Sequence, residues 1–112
     1  MKKQANPIGQ AVSADIKESL EDPEFKVEYE RLAPYEELAR IVIMRRAALG
    51  LTQAELAARM GTTASAISRI ESGQHATSSQ TVKKLASAFG ARAVLGFEFG
   101  PARHPERELV VL

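Results

Sequence analysis

A chain of 112 residues has room for one compact domain with flanking arms and too little for a two-domain enzyme. At 45% hydrophobic, 26% charged and 5% aromatic, the composition excludes wholesale disorder and suits a helix-rich globular protein. Cysteine is absent, which excludes a disulfide framework and a thiolate metal site.

The net charge of +1 is unevenly spread. Up to Pro34 the acids Asp15, Glu18, Glu21, Asp22, Glu24, Glu28 and Glu30 outnumber the bases, whereas from Tyr35 to Gly90 the order reverses through Arg40, Arg45, Arg46, Arg59, Arg69, Lys83 and Lys84. A basic middle behind an acidic arm suits a domain that meets phosphate while the arm faces something else.

In chain order, residues 1–12 carry Asn6-Pro7 and Gly9 without a sustained period and read as a lead-in. No apolar stretch through Leu20 serves as a signal core or membrane span, so a cytoplasmic location is the expectation. Ser13 is placed to cap a short helix reaching about Glu21. Asp22-Pro23-Glu24 opens a clearer helix, with Phe25, Tyr29 and Leu32 on one face. Pro34 is expected to end that helix and open the next, whose apolar face holds Leu38, Ile41, Val42, Met44 and Leu49 before Gly50 stops it.

Thr52-Gln53-Ala54-Glu55 is a capping box, so a helix starts at Gln53 and carries Leu56, Ala57 and Met60 inward to a stop at Gly61. Thr62 or Thr63 caps another helix through Ile67 and Ile70 to about Ser72, closed by Gly73. After a polar loop, Val82, Leu85, Ala86 and Phe89 mark a last helix ending at Gly90. The period then becomes alternating, with Ala93, Leu95, Phe97 and Phe99 on one side, which is a strand signal. Leu109 to Leu112 forms either a second strand or an apolar tail. The expected organisation is an N-terminal, partly helical arm at residues 1–33, a helix-turn-helix domain at 34–90, and a C-terminal strand and tail at 91–112.

Two short helices joined by a tight turn place the second in a DNA major groove while the first lies across the backbone. Here Ala57 permits close approach, Gly61 supplies the turn, and Ile67 and Ile70 anchor the second helix from behind. Ala64, Ser65, Ser68, Arg69 and Ser72 remain outward on one stripe. Arg69 is the best base reader, because a guanidinium bonds guanine O6 and N7 together; its plainer role is phosphate contact. Ser65 and Ser68 suit base or phosphate, Ala64 a thymine methyl, and Gln53 a phosphate at its helix start. Lys83 and Lys84 are lesser phosphate candidates, and Arg45 and Arg59 read as solvated surface.

The run from Leu49 through Ala57, then Met60-Gly61-Thr62-Thr63, then Ile67-Ser68-Arg69-Ile70-Glu71-Ser72-Gly73, closely resembles the lambda and 434 repressor-like family, also called the Cro/C1 or XRE type. The resemblance covers roughly Glu36 to Gly90 and implies an all-α, five-helix fold with an N-terminal helical arm and a short C-terminal β-strand. It implies DNA-facing positions at Gln53, Thr63, Ala64, Ser65, Arg69 and Ser72, and assigns Arg46 and Glu71 to an ion pair of the scaffold. Ala64 departs from the larger polar residues usual at its position.

Within that family, Asp22 to Tyr29 before the domain and Ala93 to Phe99 after it resemble the HigA-type antitoxins, which neutralise a RelE-like ribonuclease toxin and repress their own promoter. The resemblance implies double-stranded operator DNA, a homodimer and a basic toxin as partners. A stand-alone phage-like or restriction-control regulator, and an interaction module without operator binding, are the alternatives. The strand at Ala93 to Phe99 either pairs across a dimer axis or packs internally on Phe89 and Leu38. Nothing suggests an enzyme: His75 and His104 lack metal-ligand spacing, and the glycines form no phosphate cradle, so neither metal nor cofactor is expected.

Overall fold

The computed structural model describes residues 21–112. The expected lead-in and the short helix after Ser13 therefore lie outside the described residues. Packing divides the chain into two units that meet between Pro34 and Tyr35, and each is taken by itself.

In the first unit, Asp22 opens helix α1 (Pro23–Ala48) by accepting the Glu24 N–H on Oδ1 at 2.9 Å and the Lys26 N–H on its carbonyl at 2.9 Å. Pro23 occupies the first helical position, where its missing N–H costs nothing. Phe25 and Tyr29 stack one turn apart with ring centroids 6.2 Å from each other. The expected break at Pro34 does not occur, and Pro34 lies inside the helix. A proline deletes one ladder bond, but extending an existing helix past it is easier than nucleating a new one. The described residues accordingly hold four helices, and the five-helix count of the repressor pattern is not reproduced among them.

In the second unit, the core lies where the last turns of α1 meet helices α2 (Gln53–Met60), α3 (Ala64–Glu71) and α4 (Ser79–Ala88). Val42, Leu56, Ala57, Met60, Ile67 and Leu85 are its buried members, with Leu38, Ile70, Ala88 and Phe89 packed against them. Leu56 and Ile67 are wholly removed from solvent, each contributing about 1.5–3 kcal/mol of transfer free energy.

The apolar face expected of α1 is narrower than its sequence suggests. Leu38, Val42 and Arg46 follow one another at i, i+4 spacing toward the core, and Ala39 is buried beside them. Ile41 is 55% exposed, and Met44 and Leu49 are also open to solvent. Short helices α2 to α4 cover one stripe of α1 only.

Beyond α4 the chain forms a hairpin rather than one strand. Strand β1 (Val94–Phe99) pairs antiparallel with β2 (Glu106–Val111), from Val94 opposite Val111 to Phe99 opposite Glu106. The fold is thus mostly helical with a small sheet, not all-α. Of the two expectations for the strand, internal packing holds only for Ala93. It is buried beside Leu38 and Phe89 in an apolar groove of about 230 Å³, whereas every residue of β1 and β2 is exposed.

Candidate DNA-reading surface

Thr52 accepts the Glu55 N–H at 3.0 Å, and the Glu55 carboxylate accepts the Thr52 N–H at 2.8 Å, so the expected capping box starts α2. The Thr52 N–H bonded to it, followed by the neighbouring Thr52 hydroxyl, holds the Glu55 carboxyl below its ordinary pKa. Gly61 ends α2 with φ 68°, a left-handed conformation that a side chain would strain. Two residues on, Thr63 accepts the Ala66 N–H at 3.1 Å and caps α3. The short turn and the small Ala57, 2% exposed, let α2 and α3 cross closely.

Ile67 points into the core and Ile70 follows it, which turns the opposite side of α3 outward. Ala64, Ser65, Ser68 and Arg69 are all exposed there. Among the described residues, no hydrogen bond or ion pair engages the side chains of Ser65, Ser68 or Arg69. The stripe is therefore unoccluded and its polar groups are uncommitted.

The other site residues expected from sequence are already bonded within the fold. Thr63 is exposed but its oxygen serves the cap, leaving its proton to donate. The Ser72 hydroxyl donates to the Arg69 carbonyl at 2.7 Å and accepts the Gln74 N–H at 3.2 Å, so it finishes the C-terminus of α3. Gln53 is half-buried and donates its amide to Glu71 Oε1 at 3.0 Å, which leaves its carbonyl oxygen and backbone N–H facing the helix start.

Glu71, the last residue of α3, joins this network to α1. Arg46 donates from Nε to Oε2 at 2.6 Å and from a terminal nitrogen to Oε1 at 3.0 Å, and its other terminal nitrogen donates to the Leu51 carbonyl at 3.0 Å. The scaffold role that the resemblance assigns to Arg46 is what the structure shows. Burial pushes the Glu71 carboxyl up, but the bonds from Arg46 and Gln53 and the Arg46 charge outweigh it and leave the pKa below its ordinary value. The bond to Glu71 in turn raises that of Arg46. Gly73 follows with φ 68°, where a Cβ would stand 3.0 Å from the Glu36 Cα, so the chain passes α1 with no room for a side chain.

Arg69 also borders a cleft of about 310 Å³ between α3 and α4, shared with Thr62, His75, Thr77, Ser78 and Lys84. Lys84 thus stands on the same surface as Arg69, whereas Lys83 does not line it. Sequence reading gave His75 and Thr62 no part in this surface. The signal available was the Ser78 cap, which fixes where α4 starts and hence where Lys84 faces. Arg59, read from sequence as solvated, donates to the Ala88 carbonyl at 3.1 Å and fastens α2 to the end of α4.

Residues 42–94 match a family model described as helix-turn-helix, which supports placing this segment in the XRE or lambda repressor-like family. The same match supports DNA binding and transcription regulation as the class of activity. No curated protein and no solved structure matches the chain. Among the described residues, no helix is long and apolar enough to cross a membrane.

Proposed function

We propose that the protein is a sequence-specific transcriptional repressor that reads operator DNA with α3 and acts in the cytoplasm as a homodimer, without catalysis of its own. The observation carrying this reading is the uncommitted stripe of Ser65, Ser68 and Arg69 on a helix braced by Ile67 and tied to α1 through Glu71. Arg69 reads a base edge, while Ala64 allows close approach and the Thr63 hydroxyl and the Gln53 backbone N–H present donors toward phosphate; Ser72 supports them by finishing the helix end. A helix of eight residues spans few base pairs, so adequate discrimination calls for two half-sites about one helical turn apart and hence two copies of the chain. Footprinting on the DNA upstream of its own gene tests the reading. A protected, salt-sensitive, two-fold site supports it, and no protection at low salt rejects it.

The finer reading is that of an antitoxin that neutralises a RelE-like ribonuclease and represses the shared operon. It is supported by the acidic arm up to Pro34, whose charge complements a basic RNA-cleaving partner, and by the resemblance of the flanking segments. Rescue of growth on co-expression with the product of an adjacent gene tests it. A stand-alone regulator would bind the operator and rescue nothing.

A further inference from the structure

The cleft of about 310 Å³ between α3 and α4 combines two kinds of surface. Its floor is apolar: Met60 is 8% exposed, and Ala66 and Ile70 are half-buried beside it. Its rim is cationic, with Arg69 from α3 and Lys84 from α4. Neither of these side chains has a hydrogen bond or ion pair among the described residues.

No acid lines the cleft. Helix α4 contains none, and Glu71, the one acid of α3, is taken up by Arg46 and Gln53. The field inside is therefore of one sign, and the low-dielectric walls of a cleft concentrate it. A backbone phosphate of DNA needs the cations alone, and an apolar floor beneath them adds nothing to that contact. A covered apolar floor with convergent polar groups is the pattern of small-molecule sites, and the volume falls at the lower end of their range of about 300–1,000 Å³.

We propose that this cleft is an effector site for a small phosphate monoester with a compact apolar body, and that the bound ligand withdraws Arg69 from DNA. The regulatory half rests on the reading of α3 as the DNA-reading helix. A phosphate monoester carries nearly two negative charges at neutral pH, which match two cations better than the single charge of a carboxylate does. Arg69 offers a planar fork that bonds two phosphate oxygens, and Lys84 supplies a point charge. Thr62 and His75, on the same walls, add hydroxyl and ring donors. The apolar body lies on Met60, Ala66 and Ile70. Ligand and guanine edge compete for one guanidinium, so binding of either weakens binding of the other by the same factor. The ligand is thus an inducer, and operator occupancy falls as its concentration rises.

Phenyl phosphate is the probe, with inorganic phosphate as its head alone and benzyl alcohol as its body alone. In a titration of the full chain followed by amide chemical shifts, phenyl phosphate should saturate at submillimolar concentration, at least tenfold below inorganic phosphate. The shifts should gather at Thr62, Ala66, Ile70 and His75, and benzyl alcohol should not saturate. Ala66→Leu, which fills the floor, should remove the advantage of phenyl phosphate over inorganic phosphate, and Lys84→Gln should weaken both at least fivefold. At fixed ionic strength, saturating phenyl phosphate should lower affinity for the footprinted operator at least tenfold, and inorganic phosphate at the same concentration should leave it unchanged. Equal affinity for phenyl phosphate and inorganic phosphate would overturn the proposal, as would shifts outside the cleft or operator affinity indifferent to bound phenyl phosphate. If Ala66→Leu misfolds, the three probes on the natural chain and on Lys84→Gln decide. A chain that binds phenyl phosphate in the cleft and protects no DNA refutes the repressor reading and keeps the site; one that protects an operator and binds no phenyl phosphate refutes the site alone.

Discussion

Arg46 and Glu71 meet across 25 residues of chain, with Nε 2.6 Å from Oε2, and the Glu71 side chain is only 7% exposed. The first belongs to α1 and the second ends α3, so the pair sets the distance between the scaffold helix and the stripe that faces outward. Gln53, from the start of α2, shares the same carboxylate. One acidic group thereby holds the relative placement of three helices.

Replacing Glu71 by Ala removes the acceptor for both Arg46 and Gln53 and leaves a half-buried guanidinium without its charge partner. Thermal unfolding should show a loss of about 2 kcal/mol, a fall in Tm on the order of 10 °C. Operator affinity should fall as well, since α3 loses its tether although no DNA-facing side chain has changed.

The lowered pKa values of Glu71 and Glu55 make stability depend on pH in a definite direction. Their contribution is fully present above the unfolded carboxyl value of 4.5 and is lost as pH falls through the folded values below it. Urea titrations from pH 7 to pH 3 should therefore show flat stability down to about pH 5 and a decline below. In Glu71→Gln the decline should be shallower, because the variant has no proton to take up there.

Arg69→Ala should weaken operator binding about tenfold and relax selection at one base position, read by binding assays against singly substituted sites. Lys84→Ala should weaken all sequences alike and reduce the salt slope by about 1, the behaviour of a phosphate contact. Uniform weakening in both variants would assign Arg69 to phosphate as well.

Ile67 is 0% exposed beneath the stripe, so Ile67→Ala should cost about 2–5 kcal/mol. Its measurement is the denaturant midpoint. Ser68→Ala, one residue along on the exposed side, should leave that midpoint within about 0.5 kcal/mol while altering DNA binding.

The helix-turn-helix was legible because its signals are local. Thr52 with Glu55, Gly61, and Thr63 act within four residues of chain, and each forms the cap or turn expected of it. The start of α1 at Asp22-Pro23 and its stop before Gly50 were legible, but its continuity through Pro34 was not. Pro34 reads as a stop in isolation, yet a helix already formed on both sides absorbs one missing bond. Nor could periodicity tell that Ile41 and Met44 stay exposed, since it ranks apolar residues by spacing and is blind to the width of what packs against them.

For the candidate site, the outward stripe from Ala64 to Arg69 followed from helical spacing and the burial of Ile67 and Ile70. Which of those groups are uncommitted did not. That Gln53 is engaged by Glu71, and that Lys84 shares a cleft with Arg69, depends on contacts between segments distant in sequence. Sequence alone determined where α2 and α3 start and where α2 stops, because capping and a left-handed glycine act over a few bonds. Tertiary structure alone decided which polar groups remain available for DNA and that the C-terminus folds as an exposed hairpin, because hydrogen-bond partners and covering surfaces are assigned by packing in space.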